Sequence, residues 1–127
     1  MSIYAQTSGN QSTNSGSFVP IPGLSVTIPE GVGTSALVIL NLPLPYATGN
    51  DYPGANVGIS VNGAISSVVG GFTYDTQTPQ SFGRMPTTLV VNVPLANKPQ
   101  TVVAVWSGVR GSTVIIDTPA TLSAILD

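Results

Sequence analysis

The stretch VGISVNGAISSVV, residues 57–69, carries the clearest signal for the fold of this chain. Two runs rich in Val and Ile flank Asn62-Gly63, and Asn-Gly is the preferred pair for a type I′ turn because both turn positions need a positive φ. Two such runs separated by two residues are typical of a β-hairpin. We therefore expect strands over residues 57–61 and 64–69.

Similar runs of Val, Ile, Leu and Thr recur outward from this hairpin, with many of the 11 prolines and 14 glycines between them. No window places apolar residues at i, i+3, i+4 and i+7 over the length of a helix. The predicted strands cover residues 24–28, 36–42, 57–61, 64–69, 71–74, 88–93, 102–106, 113–117 and 121–126. About nine short strands at this spacing predict an all-β chain folded as a two-sheet sandwich or jelly roll.

The chain of 127 residues has the length of one domain. Its first part, residues 1–17, is mostly Gly, Ser, Thr, Asn and Gln from residue 7 onward, so we expect a flexible polar arm followed by a domain over residues 18–127. The arm carries neither a basic leader nor an apolar segment. We therefore expect no classical signal peptide, synthesis in the cytoplasm, and release or surface display by a non-classical route.

Charge is scarce, at 6% of residues with a net charge of −2, against roughly 25% charged residues in an ordinary domain. Hydroxyls, amides and small apolar groups must cover the surface, which suits subunit interfaces and neutral ligands. Arg84, Lys98 and Arg110 are the only basic residues, too few to bind nucleic acid through its phosphates. The longest apolar stretch, residues 36–44, is too short for a membrane span, so we expect no membrane insertion.

The chain contains no His and no Cys. The commonest general base, the commonest metal ligand and the thiolate nucleophile are therefore missing, and we expect no enzyme activity, no metal and no cofactor. A glycosidase-like carboxylate pair stays formally open, although nothing in the sequence pairs the five acidic residues. Asn50-Asp51 is either a turn capped by an Asx side chain before Pro53-Gly54 or part of a calcium site.

Neutral hydrogen-bonding residues surround two arginines in the segments PYATGN (45–50), FTYD (72–75), SFGRMP (81–86) and SGVRGS (107–112). Arg, Tyr, Ser and Thr suit a sugar, whose hydroxyls donate and accept while its C–H faces pack on aromatic rings.

Structural roles are also open for these residues. Arg84 and Arg110 are either solubilising charges or partners of Asp75 or Asp117. Tyr46 and Tyr74 could be packing residues whose hydroxyls are exposed to water. Thr73 and Ser81 could occupy ordinary strand or turn positions. We expect Trp106, inside an apolar run, in the core.

At these segments the chain resembles a family of tumour-necrosis-factor-like, fucose-binding lectin domains, known from the amino terminus of the Burkholderia cenocepacia superlectin. The resemblance is collinear from about residue 19 to residue 126 and is densest at residues 21–24, 38–41, 45–50, 72–74, 83–86, 109–112 and 122–125. It implies a jelly-roll protomer, a homotrimer, and calcium-independent sites between neighbouring chains for terminal L-fucose or fucosylated glycans on cell surfaces.

The resemblance also implies the residues of the site. One chain would supply Tyr46, Ser81 and Arg84, and its neighbour would supply Thr73, Tyr74 and Arg110, with the two arginines donating to the sugar. Secondary glycan contacts would come from Asn56, Phe82, Asp117 and Thr118. Phe82 stands where the family has Thr and Asn56 where it has Tyr, so we expect changes in affinity and in tolerance of larger oligosaccharides.

An alternative function is a non-catalytic structural or adhesion module that trimerises without binding sugar. Jelly rolls host many unrelated functions, so the fold alone does not decide between the two.

Overall fold

The structure is a computed structural model and describes residues 2–126. Its regular elements are strands: β1 (Ser2–Gln6), β2 (Gln11–Thr13), β3 (Val19–Ile28), β4 (Ser35–Leu42), β5 (Tyr46–Thr48), β6 (Gly54–Val61), β7 (Ala64–Thr73), β8 (Thr87–Pro94), β9 (Gln100–Val109), β10 (Thr113–Ile116) and β11 (Thr121–Leu126). No helix in this range is long and apolar enough to cross a membrane.

Two four-stranded antiparallel sheets form a sandwich, in the orders β1-β11-β4-β8 and β3-β9-β6-β7. Every second residue of β4 and β8 is buried, as expected of strands that place one face on a core. Leu40, Ile59 and Trp106 are among the large side chains enclosed between the sheets. The all-β jelly-roll prediction is confirmed, and Trp106 lies in the core.

The hairpin at Asn62-Gly63 joins β6 to β7, with φ values of 51° and 87°. The sequence predicted a break near Gly70, whereas β7 is continuous from Ala64 to Thr73. A Cβ on Gly71 would lie 2.2 Å from the carbonyl oxygen of Ala55. Glycine therefore allows a close approach between β6 and β7 instead of ending the strand.

The structure differs from the expectation of a flexible arm at residues 1–17, of which Met1 lies outside the described residues. β1 pairs with β11 and β2 pairs with β10. Thr7 is buried, its N–H donates to the Ala120 carbonyl at 2.9 Å, and its Oγ1 accepts from the Ala120 N–H at 2.9 Å. Backbone ladders, which depend little on side-chain type, hold this segment.

A third, three-stranded sheet in the order β2-β10-β5 lies at one end of the sandwich against β6 and β9. In its β5–β10 ladder Tyr46 lies opposite Ile115. A turn over residues 109–112 precedes β10, and Asp117 follows it. This small sheet gathers two of the four segments that the sequence marked as functional, together with Asp117.

Gly54 provides a test of how tightly the strands approach at this end. It lies between Thr73 of β7 and Val109 of β9, and a Cβ there would lie 2.3 Å from the Phe72 carbonyl oxygen. We expect Gly54→Ala to lower the free energy of unfolding by about 1–3 kcal/mol in urea denaturation.

Gly16→Ala is the matched control, since a Cβ there would meet nothing within 4 Å, and we expect a change of less than about 0.5 kcal/mol. Equal stabilities for the two variants would contradict the close approach at Gly54.

Candidate functional site

Arg84, in the loop between β7 and β8, lies over the ring of Tyr46. Its guanidinium carbon is 4.3 Å from the ring centroid, within the range of a cation–π contact. The next residue, Met85, donates its N–H to the Pro45 carbonyl at 2.8 Å and so ties the loop to the start of β5. The stacking of Arg84 on Tyr46 therefore depends on this backbone hydrogen bond as well as on the two side chains.

Asp117 fixes the orientation of this guanidinium. Arg84 Nη1 and Nη2 donate to the two carboxylate oxygens of Asp117 at 2.6 and 2.9 Å, and Nη1 also donates to the Leu44 carbonyl at 3.0 Å. The partners meet because the β5–β10 ladder, if extended by two residues beyond Tyr46 and Ile115, brings Asp117 beside Leu44.

The hydrogen bond from Arg84 lowers the pKa of Asp117, and the same bond raises the pKa of Arg84. The pair is therefore charged on both sides at neutral pH and is lost only as the pH falls through the lowered pKa of Asp117. The side chains of Arg84 and Asp117 are 41% and 28% exposed. An ion pair with this much solvent exposure adds little to the free energy of folding. Its main effect is to fix the orientation of the Arg84 guanidinium.

Tyr74 attaches the Arg84 loop to the sandwich. Its hydroxyl donates to the Gly83 carbonyl at 2.6 Å and accepts from the Ala47 N–H at 3.5 Å. Its ring meets Phe82 edge-on, with centroids 6.1 Å apart. Partial burial raises the pKa of Tyr74, so the hydroxyl keeps its proton at neutral pH.

Arg110 lies in a second cluster, at the turn between β9 and β10. The Ser112 N–H donates to the Val109 carbonyl at 2.9 Å, and Arg110 and Gly111 have φ values of 49° and 77°. Asn62-Gly63 makes a turn with the same signs of φ. An arginine at such a position is uncommon.

The Arg110 side chain reaches the loop between β5 and β6. Its Nε–H donates to the carbonyls of Asp51 and Tyr52 at 2.9 and 3.2 Å, and its Nη2 also donates to Tyr52. Tyr52 itself has a φ of 47°. Two left-handed residues that are not glycine are thus joined by hydrogen bonds, and such strained positions concentrate at functional sites.

The structure sorts the residues predicted for the site into two groups. Thr73 lies at the end of β7, opposite Gly54, which in turn pairs with Val109, so Thr73 and Arg110 share one end of their sheet. The other group comprises Tyr46, Tyr74, Phe82, Arg84, Asp117 and Thr118, the last of which donates to Asp117 Oδ1 at 3.5 Å. The resemblance grouped Tyr74 with Thr73 and Arg110, whereas its side chain contacts the Arg84 loop.

Two predicted residues stand apart from these contacts. Ser81 is exposed in the β7–β8 loop, and its side chain makes no hydrogen bond within residues 2–126. Asn56 is exposed on the outward face of β6, opposite Gly71 and Ser107.

Sequence reasoning left open the pairing of Arg84 with Asp117, and the structure contains that pair. It did not identify the Leu44, Asp51 and Tyr52 carbonyls as partners of the arginines, because every residue has a carbonyl and side-chain pattern does not mark one. Within residues 2–126 no three His, Cys, Asp or Glu side chains come together as a metal site would require.

Comparisons with known proteins identify the family. The model of the Bc2l-C N-terminal domain matches residues 2–125, and no curated protein matches significantly. The CBM36-1 domain of a multidomain xylanase from the hindgut metagenome of Trinervitermes trinervoides has a TM-score of 0.50 at 16% identity, over 100% of this chain and 98% of that one. Latent PorU from Porphyromonas gingivalis has a TM-score of 0.52 at 14% identity, over 98% of this chain and 13% of that one. The structural likeness shows a shared fold, and the family match over nearly the whole chain shows that this protein belongs to the family of Bc2l-C N-terminal domains.

Proposed function

We propose that this protein is a calcium-independent lectin that binds terminal L-fucose or fucosylated glycans and does not convert them chemically. The observation that carries the proposal is the Arg84 guanidinium held over Tyr46 and oriented by Asp117. The arrangement offers fixed N–H donors next to an aromatic ring. A sugar presents oxygen acceptors next to C–H faces, and the two match.

Arg110 supplies a second set of donors. Of its five N–H groups, only the Nε–H and one on Nη2 are needed for the recorded bonds to the Asp51 and Tyr52 carbonyls. The tip of the guanidinium keeps three donors for a ligand. Thr73 lies at the same end of the sheet and adds a hydroxyl that is exposed in the single chain.

A homotrimer would complete this site, as the family resemblance implies. The outward face of the β1-β11-β4-β8 sheet carries the exposed apolar side chains of Tyr4, Leu37, Val90 and Ile125. The four strands contain no charged residue. An uncharged face of this kind is suited to burial against another copy of the chain.

The partner surface for that face is the edge formed by β7 and β8. Each of these strands is the last in its sheet, and Ile65, Val68 and Val69 of β7 are exposed. An apolar groove of about 280 Å³ separates the two strands, with Ile65 and Val91 among its lining residues. A face that meets a different surface makes a head-to-tail contact, which closes into a ring when the rotation permits.

The ring would account for the division of the site into two groups. Thr73 ends the edge strand β7, and the Arg84 loop connects the same two edge strands. An edge seated on a neighbouring chain places one chain's Arg84 group near the other chain's Thr73 and Arg110. Three weak sites on one trimer raise the apparent affinity for a displayed glycan by roughly 10² to 10⁴ when the geometry allows simultaneous binding, so cell-surface glycans are the proposed targets.

Titration calorimetry with methyl α-L-fucoside in EDTA tests sugar binding. We expect saturable binding near one sugar per chain for the unmodified protein. Arg84→Ala and Arg110→Ala each remove charged donors worth about 1.5–3 kcal/mol per hydrogen bond, so we expect losses of roughly 10-fold or more.

Lys98→Ala is the control for these variants, because it removes the same charge from a loop at the opposite end of the sandwich. Normal affinity in both arginine variants would remove those residues from the site. If the protein is a trimer but gives no heat of binding with any glycan, the structural module is favoured. If it releases nitrophenol from 4-nitrophenyl α-L-fucoside, a purely binding role is contradicted.

Val90→Glu tests the proposed interface. Val90 is 50% exposed in the single chain, so a charge there should be tolerated by the fold, whereas burial in a subunit interface would leave that charge unpaired. We expect sedimentation velocity to show a trimer for the unmodified protein and a folded monomer with weakened fucoside binding for the variant.

Thr27→Glu, on the outward face of the other sheet, is the control and should remain a trimer. A trimeric Val90→Glu protein would show that this face is not the interface.

A further inference from the structure

The donors of Arg84 can be counted one by one. A guanidinium has five N–H groups. The two on Nη1 are directed to the Leu44 carbonyl and to Asp117 Oδ1, and one on Nη2 is directed to Asp117 Oδ2. The Nε–H and the second N–H of Nη2 are left, and they have no hydrogen-bond acceptor within residues 2–126.

These two N–H groups lie side by side on one edge of the planar guanidinium and point in the same direction. Such a fork matches two oxygen atoms on neighbouring atoms of a ligand. In a sugar these are two adjacent hydroxyls, or a hydroxyl and the ring oxygen. The two N–H groups of Arg84 that remain without a partner therefore favour bidentate binding over a single hydrogen bond.

The net charge around Arg84 also affects which ligands can bind to these two N–H groups. The carboxylate of Asp117 contacts the guanidinium at both oxygens and cancels its charge. The group below Arg84 is the aromatic ring of Tyr46. A ligand at this end of Arg84 thus meets directed donors with little net positive charge, and an anionic ligand would also meet the nearby carboxylate.

The oxygens of Asp117 are themselves engaged. Oδ1 accepts from Arg84 and, at 3.5 Å, from Thr118, and Oδ2 accepts from Arg84. This use of the carboxylate differs from the direct glycan contact that the resemblance implied for Asp117.

We propose that Asp117 is a positioning residue that turns Arg84 into a neutral two-donor fork, so that the Arg84 half of the site selects two adjacent oxygens of an uncharged sugar over carboxylated or sulfated groups. This inference rests on the proposed function, because it names the ligand chemistry of the same site. The Arg84–Asp117 ion pair is then the source of the selectivity for neutral ligands. Asp117 acts by orienting and neutralising Arg84, and it does not contact the sugar.

Asp117→Asn tests the proposal with two probes, methyl α-L-fucoside and inorganic sulfate. The asparagine keeps the size of the side chain but loses the charge and one of the two acceptors. We expect calorimetry to show fucoside binding weakened by about tenfold. We also expect sodium sulfate to compete with the fucoside in the variant and not in the unmodified protein, against sodium chloride at equal ionic strength.

Asp75→Asn is the matched control. Asp75 is an exposed carboxylate shortly after β7 and makes no ion pair within the part of the chain that the structure describes. Its loss changes the net charge equally, so we expect no sulfate competition and unchanged fucoside affinity. Sulfate competition in both variants would mean that net charge alone sets selectivity, and unchanged behaviour of Asp117→Asn would overturn the positioning role.

A measurement on the unmodified protein keeps the test independent of the variant's folding. In NMR spectra, fucoside should shift the Arg84 Nε–H signal strongly and leave the Asp117 carboxyl carbon almost unchanged, and sulfate should shift neither. A large fucoside shift at the Asp117 carboxyl carbon would show a direct sugar contact and overturn the proposal.

Failure of the proposed function gives a different pattern. The fucoside then produces neither heat nor a shift in the unmodified protein, while sulfate added to Asp117→Asn still moves the Arg84 Nε–H signal if Asp117 cancels the charge. No sulfate shift in that variant would overturn the charge pairing itself.

Discussion

The two large sheets close on a core that contains no ionisable side chain within the described residues. Burying an unpaired charge there would cost far more than a surface pair returns, so the charged residues between residues 2 and 126 lie in loops. Glu30 and Lys98 fall in loops at the end of the sandwich that carries the Asn62-Gly63 hairpin. Arg84 and Arg110 fall at the other end, where the small β2-β10-β5 sheet lies. The apolar core therefore restricts these charged side chains to the two ends of the sandwich.

The two arginines at that end are held by different means. Arg84 has a carboxylate partner in Asp117 and an aromatic ring beneath it, whereas Arg110 is held by backbone carbonyls and by its own left-handed φ. Both side chains make these contacts within the single chain, in the absence of a ligand. Less rotamer entropy then remains to be lost on binding, which matters for a ligand as small as one sugar.

Scarcity of charge has a second consequence on the outside of the sandwich. The edge strands β7 and β8 lack Lys and Glu, although charged side chains are a common protection of open sheet edges against unwanted pairing. The proposed ring covers this edge with the uncharged sheet face of a neighbour. Assembly and ligand binding would then share one cause, since the contact that protects the edge also brings Arg110 of one chain to Arg84 of the next.

The fold class, eight of the eleven strands, the Asn62-Gly63 turn and the segments that carry the two arginines could all be predicted from the amino-acid sequence. Alternation and turn chemistry are local properties, which is why they can be read without the structure. It did not reveal β1, β2 or β5, which are short or polar and depend on ladders with β11 and β10. The folded structure was needed to identify Asp117, and not Asp75, as the partner of Arg84. It was also needed to show that the carbonyls of Leu44 and Tyr52 hold the arginines. Strand register and loop path set those contacts, and every residue offers the same carbonyl, so no side-chain pattern encodes them.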